Sequence, residues 1–272
     1  NNGWRSPKVN RLEIIELPET ATRVAGVQSG QIDIALRISP DDKRAIESGG
    51  GTLLAVPVPS VTIMAIITTK EGPLQDVRVR RALNYAVDKE AYIDALFLGQ
   101  TIPASQPADQ ATNGYQPSIK PYPYNPEKAK QLLTEAGYPD GFKFIVEFVG
   151  TGATADIYQY AAQNLAQIGV TMELRTMPIS DLIGKIFKRT PWEGSAFGMD
   201  YGSGPSIDAL RSLNSLHSCR FFNAWYCDEE IMPTIEAANL EFDLDKRAEL
   251  VAQVMQRYHD QASALYFNET ID

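Results

Sequence analysis

The sequence predicts an α/β protein organised around a parallel sheet, and three observations carry that expectation. Phe142, Phe144, Val146 and Phe148 recur at every second position, the period of a strand. Ile157, Ala161, Leu165 and Ile168 then recur at helical spacing, and Val170, Met172 and Leu174 alternate again. Strand, helix and strand in that order form a βαβ unit, whose two strands run parallel.

The remaining elements follow in chain order. Residues 12–17 read as a strand that Pro18 stops, and Thr20 caps a short helix over 23–28 that Gly30 closes. Ile32, Ile34 and Leu36 alternate with Asp33, Ala35 and Arg37 as a half-buried strand. Pro40-Asp41-Asp42 opens another helix, which ends in Gly49-Gly50-Gly51. Two β-rich runs follow, 52–58 and 61–69. The character of the chain changes at Lys70-Glu71-Gly72-Pro73, after which helices dominate. Asp76 caps a helix through Ala86, and Asp88 caps a second that ends at Gly99. Residues 100–124 carry Pro103, Pro107, Pro117, Pro121 and Pro123 and little periodicity, which makes them a long crossing segment, ordered or flexible. Asn125-Pro126-Glu127 combines a cap, a proline at the first helical position and an acid in the first turn. That helix runs to Ala136 and stops at Gly137. Pro139-Asp140-Gly141 turns the chain into the βαβ unit, whose helix Thr154 caps and Gly169 closes. A helix over 181–188 leads to a short strand at Ser195-Ala196-Phe197. Two helices, near 228–240 and 244–260, precede an extended run at Ala264-Leu265-Tyr266-Phe267.

The strand at 195–197 delivers Phe197-Gly198-Met199-Asp200-Tyr201-Gly202-Ser203-Gly204-Pro205 to the carboxyl edge of the sheet, where open α/β sheets bind ligands. Glycines let a backbone approach a ligand and Pro205 ends any ladder, so the run reads as a loop that continues neither helix nor sheet. Asp200 is the candidate ligand-binding group, able to hold an ammonium through charge-assisted hydrogen bonds. Phe197 and Tyr201 would be its apolar walls, with Met199 and Ser203 beside them. The competing reading makes Asp200 a turn residue and the aromatics core.

Of the 272 residues 44% are hydrophobic, enough for the core of one large or two modest domains. The net charge of −9 argues against nucleic acid or an anionic membrane as partner. No window approaches the roughly 18 apolar residues of a membrane span. The opening Asn1-Asn2-Gly3-Trp4 is neither an initiator Met nor a targeting segment, and reads as a chain begun after processing or a piece of something longer. Enzyme signatures are scarce: there is no P-loop, no dinucleotide fingerprint, and no G-x-S-x-G elbow around Ser203 or any other serine. No metal or cofactor is expected. Cys219 and Cys227, the two cysteines, cannot build a zinc site alone and lack C-x-x-C spacing. A short disulfide-closed loop and two buried thiols both remain open. His259 reads as a solvated or capping side chain on a helix, and His217 as structural ahead of site-lining.

The ordered motifs resemble a known family. Ala21-Thr22-Arg23-Val24-Ala25-Gly26-Val27-Gln28-Ser29-Gly30-Gln31-Ile32-Asp33 is similar to a segment of the family 5 extracellular solute-binding proteins, the peptide, opine and nickel receptors of ABC importers. Asp76-Val77-Arg78-Val79-Arg80-Arg81-Ala82-Leu83-Asn84-Tyr85-Ala86-Val87-Asp88-Lys89-Glu90 resembles the most specific motif of that family. Residues 121–129 and 132–142 resemble two more, so four motifs in order span nearly the whole chain.

The resemblance implies a periplasmic-binding-protein-like fold of type II, two lobes that close on a ligand like a hinge, present here as the later part of such a protein. Residues 1–70 would be a partial first lobe with hinge strands, 71–265 the nearly complete second lobe, and 266–272 the start of the return to the first. A long portion would precede Trp4 and a tail would follow Asp272. Asp200 falls on the Asp that holds the α-ammonium in peptide-binding members, and Phe197 stands where those members carry a tryptophan. Cys219, Asn223, Trp225 and Cys227 resemble the cysteine-flanked run of the dipeptide receptor, which with an oxidising compartment implies a Cys219–Cys227 disulfide. The carboxylate-binding Arg of that receptor has no counterpart in residues 150–156, so dipeptide specificity is not implied. The expected protein is a periplasmic or extracellular monomer that binds a peptide or similar small solute and delivers it to an ABC permease in the membrane. Two competing functions are the ligand-sensing domain of a regulator and a hydrolase using Asp200 with a neighbouring acid.

Overall fold

The computed structural model, which describes residues 8–36, 38–150, 153–202 and 207–271, separates into two units, Asn1–Leu54 and Ala55–Asp272. In the first, α1 (Thr20–Gln28) and α2 (Lys43–Ser48) bury Val24 and Ile46. Thr20 lies within α1 rather than capping it; Glu19 precedes the helix without a side-chain cap. Arg23 reaches back instead to the carbonyls of Leu17 and Pro18, both at 2.7 Å. Alternation predicts strands at 12–17 and 32–36, and neither forms among the described residues. A strand exists only through its ladder, and no described neighbour in this unit supplies one. Ile14 and Ile34 accordingly remain 87% and 79% exposed.

The second unit is built on a five-stranded sheet. Its strands are β1 (Pro57–Ile66), β2 (Lys143–Phe148), β3 (Thr171–Thr176), β4 (Ala196–Gly202) and β5 (Ala264–Ile271), in the order β3-β2-β4-β1-β5. β2 pairs parallel with β3 and with β4, while β1 runs antiparallel to both β4 and β5. The two β-rich runs read at 52–58 and 61–69 are therefore one strand. Its alternation feeds two cores. Met64 and Ile66 join Leu83, Phe148, Tyr158 and Phe267 on one face; Val61, Ile63 and Ala65 join Phe197, Trp225, Val254 and Tyr266 on the other.

Helices cover both faces. α3 (Val77–Ala86), α4 (Lys89–Phe97), α5 (Pro126–Glu135) and α6 (Ala153–Ala166) supply the first core, and α7 (Ile179–Lys188), α8 (Ala209–Ser215), α9 (Met232–Leu240) and α10 (Leu244–Asp260) the second. The starts of three lie where their caps predict. Asp76 accepts from the Arg78 N–H at 2.8 Å, Asp88 from Ala91 at 3.1 Å and Asn125 from Lys128 at 2.9 Å. α8 has no counterpart in the sequence reading.

The motif at 76–90 is a structural hub. Arg80, 5% exposed, donates to the carbonyls of Leu74, Gln75, Gln261 and Ala262, tying the turn before α3 to the end of α10. Asn84 donates to the Ala264 carbonyl at 2.9 Å and accepts from the Tyr266 N–H at 3.2 Å, which fixes α3 to β5. Residues 100–124 are ordered by the same kind of bonding: the Ala104 N–H donates to Phe267, the Glu269 N–H to Ile102, and Gln106 closes on Gln116 in both directions.

Cys219 and Cys227 form a disulfide. Beside it His217 is fully buried, packed against Tyr201 and Trp225 at ring-centroid distances of 4.1 and 5.2 Å, with no protein partner for either ring nitrogen. Burial pushes its pKa down from 6.5 to about 3. The other histidine, His259, is half-buried rather than solvated, with Nδ1 2.8 Å from the Ser105 carbonyl and its ring stacked on Tyr122.

Two outcomes are expected. Amides of β2, α6 and β3 should exchange more slowly than those of α1 and α2, whose unit buries far fewer apolar side chains; equal protection would show the first unit to be self-sufficient. A depressed histidine pKa means that the unfolded chain binds the extra proton between pH 6.5 and about 3. Stability should therefore drop through that window as pH falls, by on the order of 5 kcal/mol from this group. His217→Leu should flatten the denaturant-measured slope, and an unchanged slope would contradict the burial argument.

Candidate functional site

Strand pairing, not loop geometry, positions the candidate site. The glycine-rich stretch reads from sequence as unable to continue a sheet, yet residues 197–202 lie within β4. β1 offers a partner along its full length, from Ser60 opposite Gly202 to Ile66 opposite Ala196. The ladder overrides the weak strand propensity of Gly198 and Gly202. Asp200 is thus a strand residue, not a turn residue. Ser203 lies outside the described residues.

Alternation then separates the residues that the sequence groups together. Phe197 and Tyr201 are 0% and 2% exposed in the second core, and Met199 packs against it. Phe197 stacks on Trp192 at 4.2 Å and meets Trp225 edge-on at 5.0 Å, while Tyr201 lies against His217. Asp200 points to the opposite face, so the aromatics are not walls beside it. The correction follows from the two-residue period of a strand.

On the Asp200 face the helical layer stops just short of the carboxylate. A Cβ at Gly198 would lie 2.7 Å from the Phe148 Cβ and 3.0 Å from the Tyr158 hydroxyl, so α6 packs tightly on that rung. Asp200, one rung further, is exposed. Its neighbours are hydroxyls. Thr62 stands opposite on β1, and Thr62 Oγ1 lies 3.2 Å from Thr270 Oγ1 on β5. Loss of hydration raises the pKa of Asp200, and the neighbouring Thr62 hydroxyl works against that rise. The Tyr158 hydroxyl, also on this face, donates to the Ile63 carbonyl at 2.9 Å.

The strand directions make this one edge. β2, β3 and β4 are parallel, and β5 runs with β4 because both oppose β1, so the carboxyl ends of four strands meet here. The amino ends of α6 and α7 follow β2 and β3 directly and bring positive helix ends to the same edge. On the other face of the edge sits a second carboxyl, Glu269, its pKa pushed up to about 7 by desolvation and by the nearby Asp109. Sequence reading missed Thr62, Thr270 and Glu269. Only the parity of β1 and β5 could have placed them on these faces. No cluster of three or more metal-ligating side chains occurs among the described residues, and no described helix is long and apolar enough to cross a membrane.

Comparison with known proteins gives the context of this edge. Residues 1–221 match the model of the bacterial extracellular solute-binding proteins, family 5 Middle. Heme-binding protein A of Haemophilus influenzae is 31% identical over 96% of this chain and 49% of its own length. The glutathione-binding protein GsiB of Salmonella typhimurium is 29% identical over 85% of this chain and 47% of its own. Among solved structures, HbpA2 from Haemophilus parasuis superposes with a TM-score of 0.77 at 26% identity, over 94% of this chain and 52% of that one. The periplasmic binding protein DppA from Helicobacter pylori, in complex with the peptide STSA, superposes with a TM-score of 0.81 at 20% identity, over 94% and 50%. The chain spans about half the length of the curated relatives it matches.

A carboxylate held at a raised pKa opposes folding once it ionises. The opposition is present above the folded pKa and vanishes below the unfolded one, where both states are protonated. Asp200→Asn should therefore melt higher than the parent at pH 7, with the difference shrinking as pH falls toward 3. A lower melting temperature at pH 7 would contradict the desolvation of this carboxylate.

Proposed function

This chain belongs to the family 5 bacterial extracellular solute-binding proteins, and we propose that the edge carrying Asp200 is one wall of the cleft in which such a receptor holds a peptide or similar amine-bearing solute for an ABC permease. The observation that carries the reading is an exposed carboxylate at the carboxyl edge of the sheet, opposite Thr62 and with no ion pair among the described residues. Such a group gains most from a cationic partner, because the low-dielectric wall behind it strengthens the attraction. Glutathione, named for one relative, and the peptide STSA, bound to one structural neighbour, both carry a free α-ammonium of the kind Asp200 suits.

In this reading the unit Asn1–Leu54 belongs to the first lobe and the unit Ala55–Asp272, which carries the five-stranded sheet, to the second. Phe197, Met199 and Tyr201 act from beneath, as the packing that fixes the strand, and Ser203 is assigned to the cleft only by its place in the chain after Asp200. The receptor works as a monomer in the periplasm or outside the cell, where the Cys219–Cys227 disulfide persists.

Calorimetry on the full-length receptor, with a panel of short peptides and glutathione, tests the proposal. A hydrogen bond to a charged group contributes about 1.5–3 kcal/mol, so Asp200→Asn should weaken an amine-bearing solute roughly ten- to a hundred-fold. The N-acetylated form of the same solute should bind parent and variant alike. Unchanged affinity for the free amine would remove Asp200 from the site.

A further inference from the structure

The last turn of α7 is held from outside the helix. α7 buries only Leu182 and Ile186, starts after Pro178 without a side-chain cap, and leaves Ile179, Ile183 and Phe187 exposed. A helix of 10 residues with so narrow a buried face is marginal on its own. The carbonyls of its last turn have no partner within the helix. Asn223 Nδ2 donates to two of them, Lys185 at 2.9 Å and Ile186 at 3.2 Å, and Arg189 donates to the Phe222 carbonyl at 2.9 Å. Asn223 and Phe222 lie in the loop that the Cys219–Cys227 disulfide closes. The same loop receives the end of β1. The N–H groups of Thr68 and Thr69 donate to the Trp225 carbonyl at 2.8 and 3.3 Å, and the Thr69 hydroxyl donates to Ala224 at 3.0 Å. The Trp225 ring meets Phe197 edge-on, on the strand that carries Asp200. One tether of α7 is independent of the loop, the ion pair of Lys185 with Glu147.

We propose that the Cys219–Cys227 disulfide is a redox lock: closed, it fixes the loop that caps α7 and holds the end of β1, and opened by a small thiol it releases both. The bond is within reach of such a thiol. Both cysteines are half-buried, and Cys227 lines a surface cavity of about 470 Å³ with Tyr226, Asp228 and Arg257. A thiolate entering there bonds Cys227 Sγ, the bond to Cys219 breaks, and the electron pair leaves on Cys219 Sγ, which takes a proton from water. A second thiolate bonds the sulfur of the first and frees Cys227 as a thiolate. Two external thiols thus become one external disulfide, and two electrons pass to the protein. The released loop no longer presents Asn223 to the α7 carbonyls or the Trp225 carbonyl to β1 in one fixed arrangement. The consequence for ligand binding rests on the reading of the carboxyl edge as a cleft wall, since α7 starts at that edge and Trp225 packs on β4. The lock itself is a property of this chain.

Amide hydrogen exchange of this chain, read by NMR with and without dithiothreitol, tests the lock. Reduction should speed exchange at residues 186–189 and at Thr68 and Thr69 by on the order of ten-fold or more, the scale set by closing so short a loop. β2, α6 and β3 should keep the oxidised rate. The double variant Cys219→Ser, Cys227→Ser should exchange like the reduced parent and ignore dithiothreitol. Asn223→Ala, with the disulfide intact, should speed residues 186–189 alone and leave Thr68 and Thr69 slow. Equal exchange in the oxidised and reduced chain would overturn the proposal. Acceleration through the whole sheet would overturn it too, since the disulfide would then be a general staple with no particular hold on α7. Affinity of the full-length receptor for a free-amine peptide separates the lock from the cleft. Local acceleration beside unchanged affinity in the double serine variant keeps the lock and detaches it from ligand binding. Unchanged affinity in Asp200→Asn removes the reading of the edge and leaves the lock standing.

Discussion

The second unit depends on one strand being paired along both edges. β1 joins the parallel strands β3, β2 and β4 to β5, and without it the ladder between β4 and β5 has no bridge. Its burial on both faces makes it the common floor of two cores, with Met64 and Ile66 above and Ile63 and Ala65 below. Its antiparallel register also decides what the candidate site contains. Because Thr62 lies opposite Asp200, the carboxylate meets a hydroxyl rather than an aliphatic side chain. A slip of one residue would send Asp200 into the aromatic core and Tyr201 to the exposed edge.

β4 is held in that register by polar clamps at its entry. Glu147, nearly fully buried on β2, takes the Lys185 ammonium at 2.9 Å and the N–H groups of Glu193 and Gly194 at 3.1 and 3.0 Å. Lys70, just past β1, donates to the carbonyls of Trp192, Glu193 and Gly194. A buried ion pair is a weak source of net stability, because desolvation offsets much of its attraction. Its effect here is directional: three chain segments meet in one arrangement that satisfies every donor and acceptor named, and β4 starts from there.

Other buried polar groups show what the fold tolerates to hold its shape. Lys89 is fully enclosed, 3.4 Å from the Asn84 Oδ1 and 5.9 Å from the Tyr122 ring, and burial pulls its pKa down to about 7. His217 stays neutral among aromatics. At the carboxyl ends of β4 and β5 the perturbed carboxyls are Asp200 and Glu269.

The sequence by itself determined what local chemistry can determine. Asp76, Asp88 and Asn125-Pro126 start their helices because a cap acts within three residues of itself. The βαβ unit followed from periodicity and the family from motifs in order. The tertiary structure decided the rest, because strand pairing is not local. The run from Phe197 to Gly202 has no conformational preference strong enough to choose loop or strand until β1 pairs with it. Which face each of its residues takes is a question of parity set by that partner. Ile14 and Ile34 alternate as strand residues do, yet no described neighbour pairs with them, so the pattern stays unrealised. Thr62 and Thr270 stand 208 positions apart in the chain, and no spacing rule joins them. They meet because β1 lies between β4 and β5, and that contact exists only once the sheet has formed.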